Sequence, residues 1–374
     1  MVNPENTSPE PSETPALPNS ANPPSESSEN LPSENLETPP PTSPENPFLE
    51  IKARNIVWWI PIGILGLGCL LLILSIPWAI FVLFGDPDAG AVSLAHPDPI
   101  FFLVISNLWL YSLMAFWCFL QIRRSRLIFP QLLGKRPNRR RELSQLLLVV
   151  PILMFSLGSG QLLLSILARI FPDLAASLLE DNLLSGASDT AIPWVYNAFL
   201  ILLLVVIAPV VEETLFRGII LQRWATKWGL TAGIISSSLL FGILHLNVVG
   251  LSIFGIAMAV LYLKTKTLWL PIAVHALNNA AVVLVSFLPG QINGSPQNLS
   301  LEQLSSSWRV GMLYTMLSFP LLVLYFYRNW PGKKRLFPYW ANAEKVVEFS
   351  DKSATDEPNA IEKQGLQESE NNEI

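Results

Sequence analysis

Four polar residues lie in apolar parts of the sequence, and together they could carry out hydrolysis. Glu212 lies within VVIAPVVEETLFRGIILQRW, His245 within FGILHLN, and His275 and Asn279 within HALNN. A carboxylate can take a proton from water, an imidazole can orient that water or donate to a leaving group, and an amide can hold a developing oxyanion. These residue types predict a hydrolytic site, provided that the fold brings them together.

Two further charged residues adjoin the first carboxylate. Glu213 and Arg217 are four positions apart, so in a helix their side chains lie on one face and can form an ion pair. Glu212 is rotated by one residue from that pair and can point in another direction. We interpret the pair as a structural contact that supports the helix beside Glu212.

The depth of each residue in the membrane predicts that three of the side chains meet. Glu212 lies about 16 Å along its helix from the basic end, and His275 lies about 12 Å from the start of its helix. The predicted span 251–263 covers about 20 Å, which is less than the roughly 30 Å of a hydrocarbon core. The turn before that span should therefore lie below the outer membrane surface, which brings His245 to a depth of about 15 Å from the cytoplasmic side.

The elements that position these residues are predicted to be membrane helices. The chain is 51% hydrophobic and only 14% charged, whereas soluble domains carry about a quarter charged residues. Its apolar residues form runs long enough to cross a bilayer, which needs about 20 helical residues. The predicted fold class is all-α, a polytopic helical membrane bundle of about eight transmembrane helices. The predicted spans are 56–84, 100–121, 145–170, 194–222, 230–247, 251–263, 268–288 and 309–327.

Charge along the chain predicts the orientation and the division into segments. The stretch RRSRLIFPQLLGKRPNRRRE, between the second and third spans, is strongly basic and should be cytoplasmic by the positive-inside rule. An even number of spans then places both termini in the cytoplasm. The predicted segments are a disordered Pro/Ser/Glu-rich tail (1–50), N-terminal transmembrane helices with the basic loop (51–192), a catalytic core (193–290), a final transmembrane helix (291–340) and a disordered polar tail (341–374).

Three motifs resemble those of a known family. EETLFR, FGILH and HALNN are similar to the EExxxR, FxxxH and HxxxN motifs of the CPBP family, the CAAX proteases and bacteriocin-processing enzymes, whose eukaryotic members include the type II CAAX prenyl endopeptidase. The resemblance covers about residues 194–290, with the motifs in family order. It implies an integral-membrane protease with a site reached from the cytoplasmic half of the bilayer.

The same resemblance implies a role for each motif residue. Glu212 would be the general base, and His245 would help it to activate the attacking water. His275 and Asn279 would stabilise the oxyanion, while the ion pair next to the base would brace the helix. The expected activity is cleavage of a peptide bond in a membrane-associated or lipidated substrate, with the bilayer as the other partner and no role for nucleic acid.

Whether a metal takes part is left open by the sequence. Family members have been described both as metalloproteases and as glutamate-type proteases. One glutamate and two histidines from three helices could hold Zn²⁺, as in a His₂Glu site, or could activate water alone. If Glu212 were a metal ligand it could not easily also be the base, and Glu213 would then have more to do.

Other protein classes are less consistent with the sequence. Site-2-type proteases need HExxH on one helix, which is absent, and the spans hold no pair of aspartates at a suitable depth. SLGSGQ resembles a rhomboid-type GxSG turn, but Leu157 replaces the first glycine. We therefore interpret the small residues of this stretch as permitting close helix packing. The alternatives are a catalytically inactive family member acting as a membrane scaffold or immunity protein, and a transporter, which the absence of an inverted repeat disfavours.

Overall fold

The described part of the chain is helical throughout its regular structure. A computed structural model describes residues 46–52, 55–84, 99–180, 193–245, 247–287, 307–332 and 337–343, and most of both predicted tails lies outside these ranges. The helices are α1 Ile56–Phe84, α2 Pro99–Arg124, α3 Phe129–Leu133, α4 Arg140–Leu143, α5 Val149–Ile170, α6 Pro172–Glu180, α7 Pro193–Ile201, α8 Ala208–Glu213, α9 Leu221–Trp228, α10 Leu230–Leu244, α11 Val248–Thr265, α12 Trp269–Phe287 and α13 Trp308–Asn329. The predicted all-α class is confirmed.

Several of these helices are long and apolar enough to cross a membrane. Within the described residues five helical stretches meet that requirement, and three shorter apolar helices accompany them. The five are Val104–Arg124, Arg140–Ile170, Trp194–Trp228, Val248–Thr265 and Trp308–Asn329, and the shorter three are Pro61–Ile73, Leu230–Leu244 and Trp269–Val285. Large apolar side chains on the outside, such as Leu72 at 68% exposure, are those expected to face lipid. The chain is an integral multi-pass membrane protein, while the count of eight spans and the orientation of the termini stay predictions.

The structure corrects the prediction of which central span is short. Asn247 caps α11 by accepting a hydrogen bond from the backbone N–H of Gly250 at 3.0 Å, so α11 begins at Val248 and reaches spanning length. The short helix is instead α10, whose 15 residues extend about 22 Å. His245 therefore lies at the end of α10, next to a break in the helical backbone. Such a break at membrane depth needs cover from protein or a water-filled cavity.

Small residues allow α5 and α13 to pack closely. A Cβ atom added at Gly158 of α5 would lie 2.6 Å from Oγ1 of Thr315 and 2.7 Å from the backbone oxygen of Gly311. On the same helix Ser159 donates to Asn247 at 3.4 Å, and Asn247 donates to the backbone oxygen of Ser156 at 3.0 Å. The SLGSGQ stretch is thus a helix-packing surface, which also holds the turn after His245 in place.

Gly158→Ala should lower the stability of the protein. The new methyl group would press on backbone atoms of α13, and overpacking of this kind costs typically 1–3 kcal/mol. We expect a lower midpoint of thermal unfolding in detergent micelles. Gly68→Ala in α1 is the matched control, because no heavy atom lies within 4 Å of its added Cβ. Equal midpoints for the two variants would show that the α5–α13 contact tolerates the methyl group.

Short segments from distant parts of the chain form a layer at the basic end of the bundle. Phe48, which is 1% exposed, packs edge-on against Tyr339 with ring centroids 5.3 Å apart. The Tyr339 hydroxyl accepts from the backbone N–H of Ile128 at 3.2 Å. Asn342 donates to the backbone oxygens of Gln131 at 2.8 Å and of Lys266 at 2.9 Å. Packed structure therefore extends into the edges of both predicted tails and into the predicted basic loop.

Candidate active site

The helix that carries the two glutamates is wound more loosely on either side of them. Residues Leu202–Ile207 and Thr214–Ile220 are π-helical, and the six α-helical residues of α8 lie between them. Short π-helical turns are rare and occur frequently at functional sites. A π turn adds a residue to the winding and so re-aims the side chains that follow. No pattern of residues indicates either turn.

A proline leaves one backbone carbonyl of the first π turn without its usual hydrogen-bond donor. In π-helical winding, residue 209 would donate to the carbonyl of residue 204, but Pro209 has no N–H. Asn279 fills this place, because its Nδ2 donates to the backbone oxygen of Leu204 at 2.8 Å. Its Oδ1 in turn faces Nδ2 of Asn278 at 3.4 Å. The structure thus places Asn279 against the helix that carries the two glutamates, with one of its amide hydrogens bonded to the backbone rather than to Glu212 or a histidine.

The predicted ion pair is present and holds one of the histidines. Nη1 of Arg217 lies 2.8 Å from Oε1 of Glu213, and Nη2 donates to the backbone oxygen of Gly255 at 3.3 Å. Both charged side chains are almost fully buried, at 2% and 0% exposure. The same Oε1 lies 2.9 Å from Nδ1 of His275. Glu213 therefore fixes the ring of His275 and turns its Nε2 toward the other carboxylate.

Glu212 lies at the centre of the predicted trio. Its Oε2 is 3.7 Å from Nε2 of His245 and 3.8 Å from Nε2 of His275. That oxygen is buried and has no hydrogen-bond partner within the described residues. Separations of this size exceed the length of a direct hydrogen bond. A water molecule that bonds to both groups would link them.

The phenylalanine of the FxxxH motif orients the other histidine. Nδ1 of His245 lies 2.7 Å from the backbone oxygen of Phe241, so Nδ1 carries a hydrogen, and in the neutral ring Nε2 is the acceptor. The two rings also stack, with centroids 4.3 Å apart. Phe241 further contacts the guanidinium of Arg217, whose Cζ is 4.8 Å from the ring centroid. The side chain of His245 is 32% exposed, whereas those of Glu212 and His275 are buried.

One residue of this site was missed by the reasoning from sequence. The hydroxyl of Tyr111, on α2, donates to Oε1 of Glu212 at 2.8 Å. The two residues are 101 positions apart in the chain. A single tyrosine in an apolar helix forms no motif, so no signal in the sequence could have singled it out.

A zinc ion would need the three side chains to lie slightly closer together than they do. Ligands bound at 2.0–2.2 Å in tetrahedral geometry lie about 3.4 Å apart, whereas the distances from Oε2 of Glu212 to the two imidazoles are a few tenths of an ångström longer. Within the part of the chain that the structure describes, no three His, Cys, Asp or Glu side chains are grouped so as to hold a metal ion. The donor types suit zinc, but their spacing in this structure does not, and the choice between a metal and water alone, which the sequence left open, stays untested.

Fold and site together define a multi-pass membrane protein with a charged cluster buried among its helices. Residues 194–281 match the family model described as type II CAAX prenyl endopeptidase Rce1-like. The Bacillus subtilis protein named "Putative membrane peptidase YdiL" is 33% identical over 87 residues, which are 22% of this chain and 36% of that relative. No solved structure matches the chain significantly. This segment is therefore similar to the CPBP family, and the chain matches only about a third of the length of this curated relative.

Proposed function

We propose that this protein is an intramembrane endopeptidase that hydrolyses a peptide bond of a membrane-associated or lipidated substrate. The observation that supports the proposal is the buried, unpartnered Oε2 of Glu212, which faces Nε2 of both His245 and His275 at 3.7 and 3.8 Å. A carboxylate beside two imidazoles is a combination that can activate water. Glu213 also has a buried Oε2 without a hydrogen-bond partner in the described residues, so Glu212 is distinguished by the two imidazoles that its Oε2 faces.

In this proposal Glu212 is the general base. A water molecule between Glu212 and His245 donates one hydrogen to Oε2, and the Nε2 lone pair of His245 orients it. As the proton moves to Oε2, the water oxygen bonds to the carbonyl carbon of the substrate and the carbonyl oxygen becomes an oxyanion. The C–N bond then breaks, and the proton passes from Glu212 to the leaving amine. The carboxylate is restored at the end of the cycle.

In this proposal His275 supplies the charge that balances the cluster. The buried cluster holds the carboxylates of Glu212 and Glu213 but only the guanidinium of Arg217, and unbalanced charge is costly in such surroundings. A protonated imidazole at His275 would make the cluster neutral. Its Nδ1–H would then donate to Glu213, leaving Nε2–H to stabilise the oxyanion. Asn279 would assist with the second hydrogen of its amide.

A peptide assay tests the proposal directly. Purified protein in proteoliposomes is incubated with a quenched fluorescent peptide that carries a farnesylated cysteine followed by three residues, and with the same peptide lacking the lipid. We expect cleavage of the lipidated peptide with a higher kcat/KM, because the lipid concentrates the peptide at the bilayer. Cleavage of neither peptide, together with full biological function of the Glu212→Gln variant, would favour a membrane scaffold instead.

Chelation separates the two catalytic types. With Glu212 as the base rather than a metal ligand, we expect kcat for the cleaved peptide to be unchanged within twofold after incubation with 1,10-phenanthroline and dialysis. Inactivation that added Zn²⁺ reverses would assign the protein to the metalloproteases. A chelator analogue that does not bind metals, 1,7-phenanthroline, is the control for effects on the bilayer.

A further inference from the structure

One helix that contributes to the site lies outside the segment that matches the family model. Residues 194–281 contain both glutamates and both histidines of the cluster, whereas Tyr111 belongs to α2, far upstream. Its side chain is largely buried in the bundle, and α2 packs against both α8 and the π turn Thr214–Ile220. The hydroxyl thus reaches Glu212 from a helix that the family resemblance does not describe.

Tyr111 makes the two oxygens of Glu212 different. A carboxylate is symmetric, and the last torsion of a glutamate has broad preferences, so either oxygen could in principle face the histidines. The hydroxyl of Tyr111 donates to Oε1 at 2.8 Å, while Oε2 lies among the two imidazoles without a hydrogen-bond partner in the described residues. One oxygen is anchored, and the other is presented.

We propose that Tyr111 is a positioning residue, which anchors Oε1 of Glu212 so that Oε2 is held toward Nε2 of His245 and of His275. The inference rests on the proposed hydrolytic function of these three residues. Tyr111 does not touch the substrate and transfers no proton. The hydrogen bond restricts the rotation of the carboxylate, so that less of the activation free energy is needed to orient the base.

The role predicts an effect on turnover without an effect on substrate binding. Tyr111→Phe keeps the ring and removes only the donor, so the variant should fold. We expect kcat for the farnesylated peptide to fall about 10- to 100-fold, the range of one hydrogen bond to a charged group, with KM unchanged within twofold. Tyr325→Phe is the matched control, because the Tyr325 hydroxyl is buried without a hydrogen-bond partner in the described residues.

A stability measurement checks the contact independently of activity. Tyr111→Phe should lower the midpoint of thermal unfolding in the wild-type background, by about 2–4 °C, and should have no effect in a Glu212→Leu background, where the acceptor is gone. An equal decrease in both backgrounds would mean that the hydroxyl does not bond to Glu212, and would overturn the inference.

The outcomes separate this role from the proposed function. If the wild-type protein cleaves the peptide and Tyr111→Phe matches Tyr325→Phe in kcat and KM, the positioning role is wrong and the proposed function stands. A rise in KM with an unchanged kcat would also overturn it, because that result would place Tyr111 in substrate binding. If the wild-type protein cleaves no peptide, the proposed function fails and this role fails with it.

Discussion

Glu212→Gln is expected to lower kcat for peptide cleavage by about 10²- to 10⁴-fold, the usual contribution of a general base. Glutamine has nearly the same volume as glutamate and its amide oxygen can still accept a hydrogen bond from Tyr111. It cannot take a proton from water. The packing around a side chain that is 4% exposed should therefore survive, and the amount of folded protein should stay close to that of the wild type.

The expected loss is specific to this position. Glu50→Gln makes the same chemical change at an exposed residue and should leave both kcat and folded yield unchanged. Fluorescence-detected size exclusion gives the folded amount, and the farnesylated-peptide assay gives kcat at matched protein levels. If Glu212→Gln retained more than a tenth of the wild-type kcat, Glu212 could not be the base.

The second large effect is expected on folding rather than on chemistry. Arg217→Ala leaves the carboxylate of Glu213 buried at 0% exposure without its guanidinium partner, and breaking one side of a buried ion pair costs about 3–5 kcal/mol. Glu213→Gln leaves the guanidinium unpaired in the same way. We expect both variants to give a clearly lower folded yield and a lower midpoint of thermal unfolding than Glu212→Gln.

Removing both charges provides the matched control for this effect. A Glu213→Gln, Arg217→Met double variant leaves no unpaired charge, so its folded yield should exceed that of either single variant. Its kcat should remain low, because Glu213 also holds Nδ1 of His275 at 2.9 Å. Equal yields and equal activities for Glu212→Gln, Glu213→Gln and Arg217→Ala would contradict the division between a chemical and a structural carboxylate.

Contacts within one turn of a helix could be predicted from the sequence. The pairing of Glu213 with Arg217 follows from their spacing of four residues, and the structure contains it at 2.8 Å. The approach of His245 and His275 to Glu212 follows from helix rise and membrane depth. The predicted neighbours are present although the short helix is α10 rather than the predicted span 251–263, because the depth of a turn constrains both helices that meet at it.

What could not be predicted depends on backbone detail or on contacts between distant helices. The start of α11 at Val248 depends on the cap that Asn247 forms, and a one-turn shift of a helix end is invisible in an apolar run. The π turns around α8 leave no mark in composition. Their consequence, the bond from Asn279 to the carbonyl of Leu204, requires knowing which carbonyl Pro209 leaves unsatisfied. Tyr111 comes from a helix with no motif at all.

We propose that Glu212, with His245 and His275, cuts peptide bonds at the membrane. The most direct test compares the N-termini of membrane-fraction peptides from cells that express the wild-type protein or Glu212→Gln at equal levels. We predict a set of new termini, on membrane-associated or lipidated proteins, that is present with the wild type and missing with the variant. Identical sets of termini in the two strains would contradict the claim.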